Sequence, residues 1–311
     1  MLMKRGFTIL TIACMAVAVH AGAAANEARG SVHAARGGHG WFVRKADRRD
    51  TWLYVAGSAG NVINVFDLTK FGNPQIGHIT TGVDLPGGLA VDPQGTLYAP
   101  NWNGANVTIY PAMATEPSLT LTQDLTIPAA VAVDTNGDVY VANRGSAPSV
   151  VVFPQGQTTP SRVITSALIE SPQQITFDGA RNLYISDNLM GVSELAFGSQ
   201  EPTALNLEGP KRAEGIAIDP RDGNIFVSDE PSQKVFVYKP GNPQPLHATQ
   251  ITLACFLTIG PVRGNDFVFV PSCGDDDVWV MATDARKVRG VLDFAGAGSA
   301  CCIVIKPPGI P

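Results

Sequence analysis

The chain has 311 residues, a formal charge of −5, 16% charged and 45% hydrophobic residues, and 32 glycines with 23 prolines. That apolar content is too high for a disordered chain, and no face-long cluster of Lys and Arg offers a nucleic-acid footprint. The Gly and Pro usage suits many tight turns between short strands, and a single repeat array can form one domain at this length.

At the N-terminus, Lys4 and Arg5 precede an apolar run from Phe7 to Val19, followed by Val19-His20-Ala21 and the small residues Gly22 to Ala25. Charge, a short apolar core and an A-x-A-like site make residues 1–25 a secretory signal peptide, cut after Ala21, Ala23 or Ala25. The run is too short to anchor in a bilayer, and Thr11-Ile12-Ala13 ahead of Cys14 does not suit lipoprotein processing. The expected product is secreted or periplasmic, with no membrane span. Residues 26–50 mix Gly, Ala, Arg and His without alternation and read as a flexible leader, with Arg44, Lys45, Arg48 and Arg49 as a solvated cluster.

From Thr51 onward one pattern repeats. LAVDPQGTLYAPN (Leu89 to Asn101), VAVDTNGDVYVAN (Val131 to Asn143), ITFDGARNLYISD (Ile175 to Asp187) and IAIDPRDGNIFVSD (Ile216 to Asp229) each read as strand, Asp-led turn, strand. Looser copies surround Tyr54 and Phe269, so the equivalent aromatics Tyr54, Tyr98, Tyr140, Tyr184, Phe226 and Phe269 lie 44, 42, 44, 42 and 43 residues apart. A third strand follows each pair, ending at Phe66, Tyr110, Phe153, Phe197, Tyr238 and Met281. Pro111, Pro154 and Pro240 mark exits from it, where a missing ladder donor is tolerated. A period of this size with no helical stretch predicts an all-β fold, a six-bladed β-propeller with four-stranded blades over residues 51–311.

The C-terminus predicts how the ring closes. Ile303 to Gly309 matches Leu89 to Gly95 position by position, then the chain stops. The first blade has the opposite defect, since no LAVD-type strand precedes Leu53. The C-terminal strand is therefore expected to join blade one as its innermost strand, leaving no unpaired edge at the join.

Ligands of propellers meet the face built by the turns after the second strands and by the residues leading into the innermost strands. Asn101, Asn143, Asp187 and Asp229 end the second strands, and Asp92, Asp134, Asp178 and Asp219 lead the first turns. Residues present in every good copy are explained first by turn-building. The lead-in positions are Gly87, Ala129, Gln173, Glu214 and Cys301, and the copies differ most at Gln173, Glu214, Trp102, Arg144 and the Asp275 to Asp277 turn. The candidate binding set is Glu214, Gln173, Trp102, Asn143, Arg144, Asp187 and Asp229, with no catalytic residue. His33 and His39 fall in the leader, His78 and His247 in or near outer strands, and no G-x-S-x-G or H-E-x-x-H is present. The Asp275 to Asp277 run lacks calcium-loop spacing and reads as an exposed acidic turn.

Four cysteines remain after export: Cys255, Cys273, Cys301 and Cys302. They permit two disulfides in three pairings, or four buried thiols; a bridge among them would fasten the ring where it joins. Without C-x-x-C or a histidine at ligand spacing they do not read as a metal site.

Gly95-Thr96-Leu97-Tyr98-Ala99-Pro100-Asn101 and Gly137-Asp138-Val139-Tyr140-Val141-Ala142-Asn143 resemble NHL-repeat propellers and the wider SMP-30/gluconolactonase-like group, and with the aromatic-Pro ends Tyr110-Pro111 and Phe153-Pro154 the chain looks like an exported bacterial member. The likeness runs from Thr51 to Pro311. It implies a group that includes lactonases and lyases holding a divalent metal at the channel mouth, the lactonases through a Glu, Asn and Asp set. Here Gly87 and Ala129 occupy places where such polar ligands would be sought, and the histidines used by streptogramin-lyase-like enzymes are lacking. The expectation is thus an exported binding or scaffold module, a monomer without cofactor, taking a small molecule, glycan or protein on the channel-mouth face. The alternative is a metal-dependent hydrolase or lyase, lactonase-like, with a divalent cation such as Ca²⁺ on Glu214, Asn143 and Asp187 or Asp229.

Overall fold

The structure, a computed structural model, describes residues 40–57, 60–274, 276–284, 286–294 and 300–307. The expected signal peptide, the first part of the leader and Asp275 lie outside them. Among the described residues every regular element is a strand, and the strands form six antiparallel sheets.

Each repeat becomes a sheet for a local reason. Asp92 Oδ1 accepts the N–H groups of Gln94 and Thr96 at 2.9 and 2.8 Å, and Asp134 and Asp178 brace the residues two and four ahead in the same way. This Asx bracing turns the chain back after the first strand. Gly95 and Gly137 adopt φ of 81° and 87° in that turn, but blade four places Arg181 there at 69°. A side-chain-bearing residue pays about 1–2 kcal/mol for that conformation. Offsetting contacts are present: Arg181 donates to Asp134 of blade three at 3.0 Å, and its guanidinium lies 4.3 Å over the Phe197 ring.

From the inside outward, blade one consists of Ala300–Lys306, Trp52–Gly57, Val62–Asp67 and Gln75–Ile79. Blades two to six start on the inside with Ala90–Val91, Pro128–Val133, Pro172–Phe177, Ile216–Ile218 and Thr258–Val262. These six inner strands touch in a closed cycle, the last against the first. Apolar side chains leaving one sheet pack on the next. Leu53, Val55, Ile303 and Ile305 of blade one share a cluster with Phe269, Val278 and Phe294 of blade six; Tyr184 and Val192 of blade four share one with Ile216, Val227 and Tyr238 of blade five. Burying one such side chain fully is worth about 1.5–3 kcal/mol.

Closure follows the expected plan. The C-terminal strand pairs with Trp52–Gly57 from Trp52↔Lys306 to Gly57↔Ala300. Lys306, only 1% exposed, donates its ammonium hydrogens to the carbonyls of Arg48, Asp50 and Pro307 and lies 4.7 Å over the Trp52 ring. Burial pushes its pKa below the ordinary lysine value.

Two expectations change. Within the expected leader, residues 26–50, Trp41–Phe42 pair with His78 and Gly77 as a fifth, outermost strand of blade one. Phe42 packs on Trp52 with ring centroids 6.3 Å apart, and the Arg48 and Asp50 carbonyls cap Lys306. Two strand residues are too few to show alternation, so the sequence carried no sign of it. The third strand of blade four ends at Leu195, which pairs with Leu183 as Phe153 pairs with Val139; Phe197 lies beyond it, 62% exposed. The hairpin from Asp187 to Gly191 is shorter than its counterparts, which moves the strand end back two residues.

Candidate functional site at the channel mouth

At one end of the ring, the ladder between inner and second strands slips. In blade three the register passes from Ala142↔Ala130 to Asn143↔Pro128, so Ala129 has no residue opposite; the same slip isolates Gln173 and Gln174 in blade four and Cys301 in blade one. A β-bulge re-aims the extra side chain. In blades two, five and six the N–H groups of Gly87, Glu214 and Cys255 occupy this step, donating to the carbonyls of Pro100, Ser228 and Pro271. The lead-in ring therefore reads Cys301, Gly87, Ala129, Gln173, Glu214, Cys255. Cys255 is the member that the alignment missed, because blade six lacks the Asp-led turn that marks the other copies.

A second set of side chains comes from the turn after each second strand: Trp102, Arg144, Asn188 and Glu230 stand directly after theirs, and Cys273 two residues after Asn265–Pro271. Cys273 is at the equivalent place, since its N–H donates to Leu253 as those of Trp102, Arg144 and Asn188 donate to Leu85, Ile127 and Ser171. Arg144 Nη1 donates to Gln173 Oε1 at 3.0 Å, and its guanidinium lies 5.0 Å over the Trp102 ring. Trp102, Arg144 and Gln173, from three successive blades, thus form one connected group. Next to it stands Glu214, its side chain 19% exposed, with Arg212 Nη2 3.7 Å from Oε1 and a closer pair between Arg212 and Glu230. Burial raises the Glu214 pKa above the ordinary carboxyl value; Arg212 draws it down, Glu230 up, and Arg144 and a hydrogen bond from Asn188 down again. Trp102 Nε1, Asn188 Oδ1 and Arg212 Nε are buried with no hydrogen-bond partner in the protein. Asn188 and Glu230 sit at positions the repeat alignment exposes, while Arg212 had no sequence signal.

The recurring Asn and Asp residues do something else. Asn143 Oδ1 accepts from the N–H groups of Thr126 and Ile127 at 2.8 and 3.1 Å. The Asp187 carboxylate accepts four backbone N–H groups, from Glu170, Ser171, Leu189 and Met190, and Asp229 accepts from Lys211, Arg212 and Ser232. Asn101 does likewise with Asp84. All four are at most 1% exposed. Each side chain ties the loop before the inner strand to the turn after the second strand, which positions the mouth residues, and its own oxygens are occupied in doing so.

Below the mouth Gln174 reaches across the channel. Its Oε1 accepts from Ile216 of blade five and Leu257 of blade six at 2.9 and 2.8 Å, and its Nε2 donates to the Leu257 carbonyl at 2.7 Å. On the six-to-one side, Cys255 and Cys273 form a disulfide, Cys301 is partly exposed and Cys302 is fully buried. Asp277 begins the third strand of blade six, and Asp276 accepts the Phe294 N–H through its carbonyl. His78 and His247 lie in outer strands, bonded to Asn64 and the Asp284 carbonyl. Two adjoining grooves of about 470 and 570 Å³ share Arg221, Thr283 and Asp284. They open at the opposite end of the ring, where Arg221 is already paired with Asp219 and Asp266.

No protein-family model and no curated protein matches the chain. Solved structures do, in 1379 chains; one, from the crystal structure of the nidogen/laminin complex, is 18% identical with a TM-score of 0.69, covering 82% of this chain and 98% of that one. At that identity the likeness concerns fold. With six antiparallel blades in a closed ring, five of four strands and the first extended by Trp41–Phe42, the chain is a six-bladed β-propeller.

Proposed function

We propose that this exported propeller is a binding or scaffold module whose channel-mouth face takes a polar ligand, whether small molecule, glycan or protein segment. The observation that carries the reading is a pair of buried atoms without protein partners beside Glu214, the acceptor Asn188 Oδ1 and the donor Arg212 Nε, with a second such donor, Trp102 Nε1, against Gly87 on the same face. Such atoms cost about 1–3 kcal/mol each when unmet, so they favour a ligand carrying both donors and acceptors. The similar solved chain comes from a complex of nidogen with laminin, which is compatible with a protein segment as the ligand. The metal-dependent hydrolase or lyase reading needs a cation such as Ca²⁺ on Glu214, Asn143 and Asp187 or Asp229. It is less well supported, since the oxygens of the last three already serve backbone amides.

A thermal-shift screen of polar metabolites, oligosaccharides and peptides, repeated on Glu214→Gln and Arg144→Ala, tests this reading. Ligands that stabilise the parent should lose at least tenfold in affinity in both variants. Hits indifferent to both would move the site elsewhere, and stoichiometric Ca²⁺, Mg²⁺ or Zn²⁺ lost in Glu214→Ala would favour the metal-dependent reading.

A further inference from the structure

The three cysteines at the six-to-one joint occupy defined positions in the mouth. Cys255 leads into the inner strand of blade six, and Cys301 is the bulge residue leading into the closing strand of blade one. Cys273 follows the second strand of blade six, where Arg144 and Asn188 stand in their blades. Arg144 reaches the lead-in residue of the next blade, and so does Asn188. Cys273 repeats this geometry with sulfur: it is bonded to its own blade's lead-in residue, Cys255, and its Sγ lies 2.7 Å from Sγ of the next blade's, Cys301. All three sulfurs lie within 4.8 Å of one another.

We propose that Cys255, Cys273 and Cys301 form a thiol–disulfide exchange site, in which Cys273 passes from Cys255 to Cys301 and turns the ring's closing joint into a covalent one. The Cys301 thiol gives its proton to solvent, and its thiolate attacks Cys273 Sγ. The Cys273–Cys301 bond forms as the Cys255–Cys273 bond breaks; the electron pair leaves on Cys255, which takes up a proton. One disulfide and one thiol are present before and after, so no oxidant or reductant is consumed. Cys301 is partly exposed, which gives the attacking group its access. Cys302 does not compete, because it is fully buried in the blade-one core.

The two bonds join different things. Cys255–Cys273 spans 18 residues within blade six, whereas Cys273–Cys301 would span 28 and tie blade six to the strand that completes blade one. Loop-closure entropy changes little between those lengths, so the gain lies in the junction crossed. In the second form the closing strand no longer separates from blade six without breaking a bond.

Peptide mapping of the mature protein tests this. The protein is equilibrated in reduced and oxidised glutathione, quenched with acid, alkylated and analysed by mass spectrometry. The parent should yield both Cys255–Cys273 and Cys273–Cys301 linked peptides, Cys255→Ser only the second, and Cys301→Ser only the first. Amide exchange in 300–306 should be about tenfold slower in Cys255→Ser than in Cys301→Ser, as expected for a tethered segment that opens locally. Alkylated Cys273 and Cys301 together in folded Cys255→Ser would overturn the proposal. Should that variant not fold, parent protein in which Cys255 is never alkylated at any glutathione ratio would overturn it equally.

Discussion

Between blades two and five, the lead-in residues and the residues after the second strands meet through charge and hydrogen bonds, with Arg144 on Gln173 and Trp102, and Arg212 between Glu214 and Glu230. At the six-to-one joint the same two kinds of position hold Cys255, Cys273 and Cys301. The backbone supplying them is alike on both sides. Only the side chains at the unrepeated positions differ, and so one side of the mouth presents polar groups while the other presents sulfur at the place where the closing strand joins the ring. Residues repeated in blades two to five hold this frame and leave the varied ones to act.

Removing Cys301 to Pro311 should do most to break that comparison. Blade one loses its innermost strand and the cluster with blade six loses Ile303 and Ile305, so the cooperative thermal transition should disappear from circular dichroism; a normal transition would refute the closing role of the strand. Next in size is Phe269→Ala, fully buried in that same interface, which should cost about 3–5 kcal/mol in urea unfolding. Phe197→Ala, on an exposed ring, should cost no more than the cation–π contact with Arg181, about 0.5–1 kcal/mol, and equal effects would contradict the reassigned strand end.

On the polar side, Asp187→Ala strips four backbone N–H groups of their acceptor. A loss of about 2–4 kcal/mol is expected, whereas Asn188→Ala beside it should change ligand binding more than stability. A large stability loss in Asn188→Ala with none in Asp187→Ala would reverse the division between frame and site.

The smallest effect concerns pH. The folded state holds the Glu214 proton to higher pH than the unfolded chain does, so as pH rises above the ordinary carboxyl value of 4.5 the unfolded state sheds its proton first and stability falls. Below that value nothing is lost. Parent and Glu214→Gln should therefore have similar unfolding free energies in acid and diverge above it, the variant becoming the more stable; a difference independent of pH would remove the buried-carboxylate account.

Much of this frame was legible in the chain. Period-two alternation and the Asp-led turn repeat near every 43 residues, and the match of Ile303 to Gly309 with Leu89 to Gly95 exposed the closing strand. The failures are equally physical. Trp41–Phe42 are too short to alternate, the blade-four hairpin from Asp187 to Gly191 is shorter than that from Asn143 to Ser149 and leaves Phe197 past the strand end, and Cys255 has no repeat to mark it. Trp102, Arg144, Gln173 and Glu214 stood out because the copies differ there. Their contacts did not: Arg144 and Gln173 are 29 residues apart and in different sheets.

What the amino-acid order settles here is local and repeated. Alternation, turn-forming Asp and the closing match set the number of blades and the join, since each acts over a few residues and is confirmed by every copy. What the folded ring settles is who meets whom at its mouth. Bulges aim the lead-in side chains, neighbouring sheets bring them within reach, and one sulfur is left facing two partners, because those distances depend on how six separate sheets pack and not on any spacing along the chain.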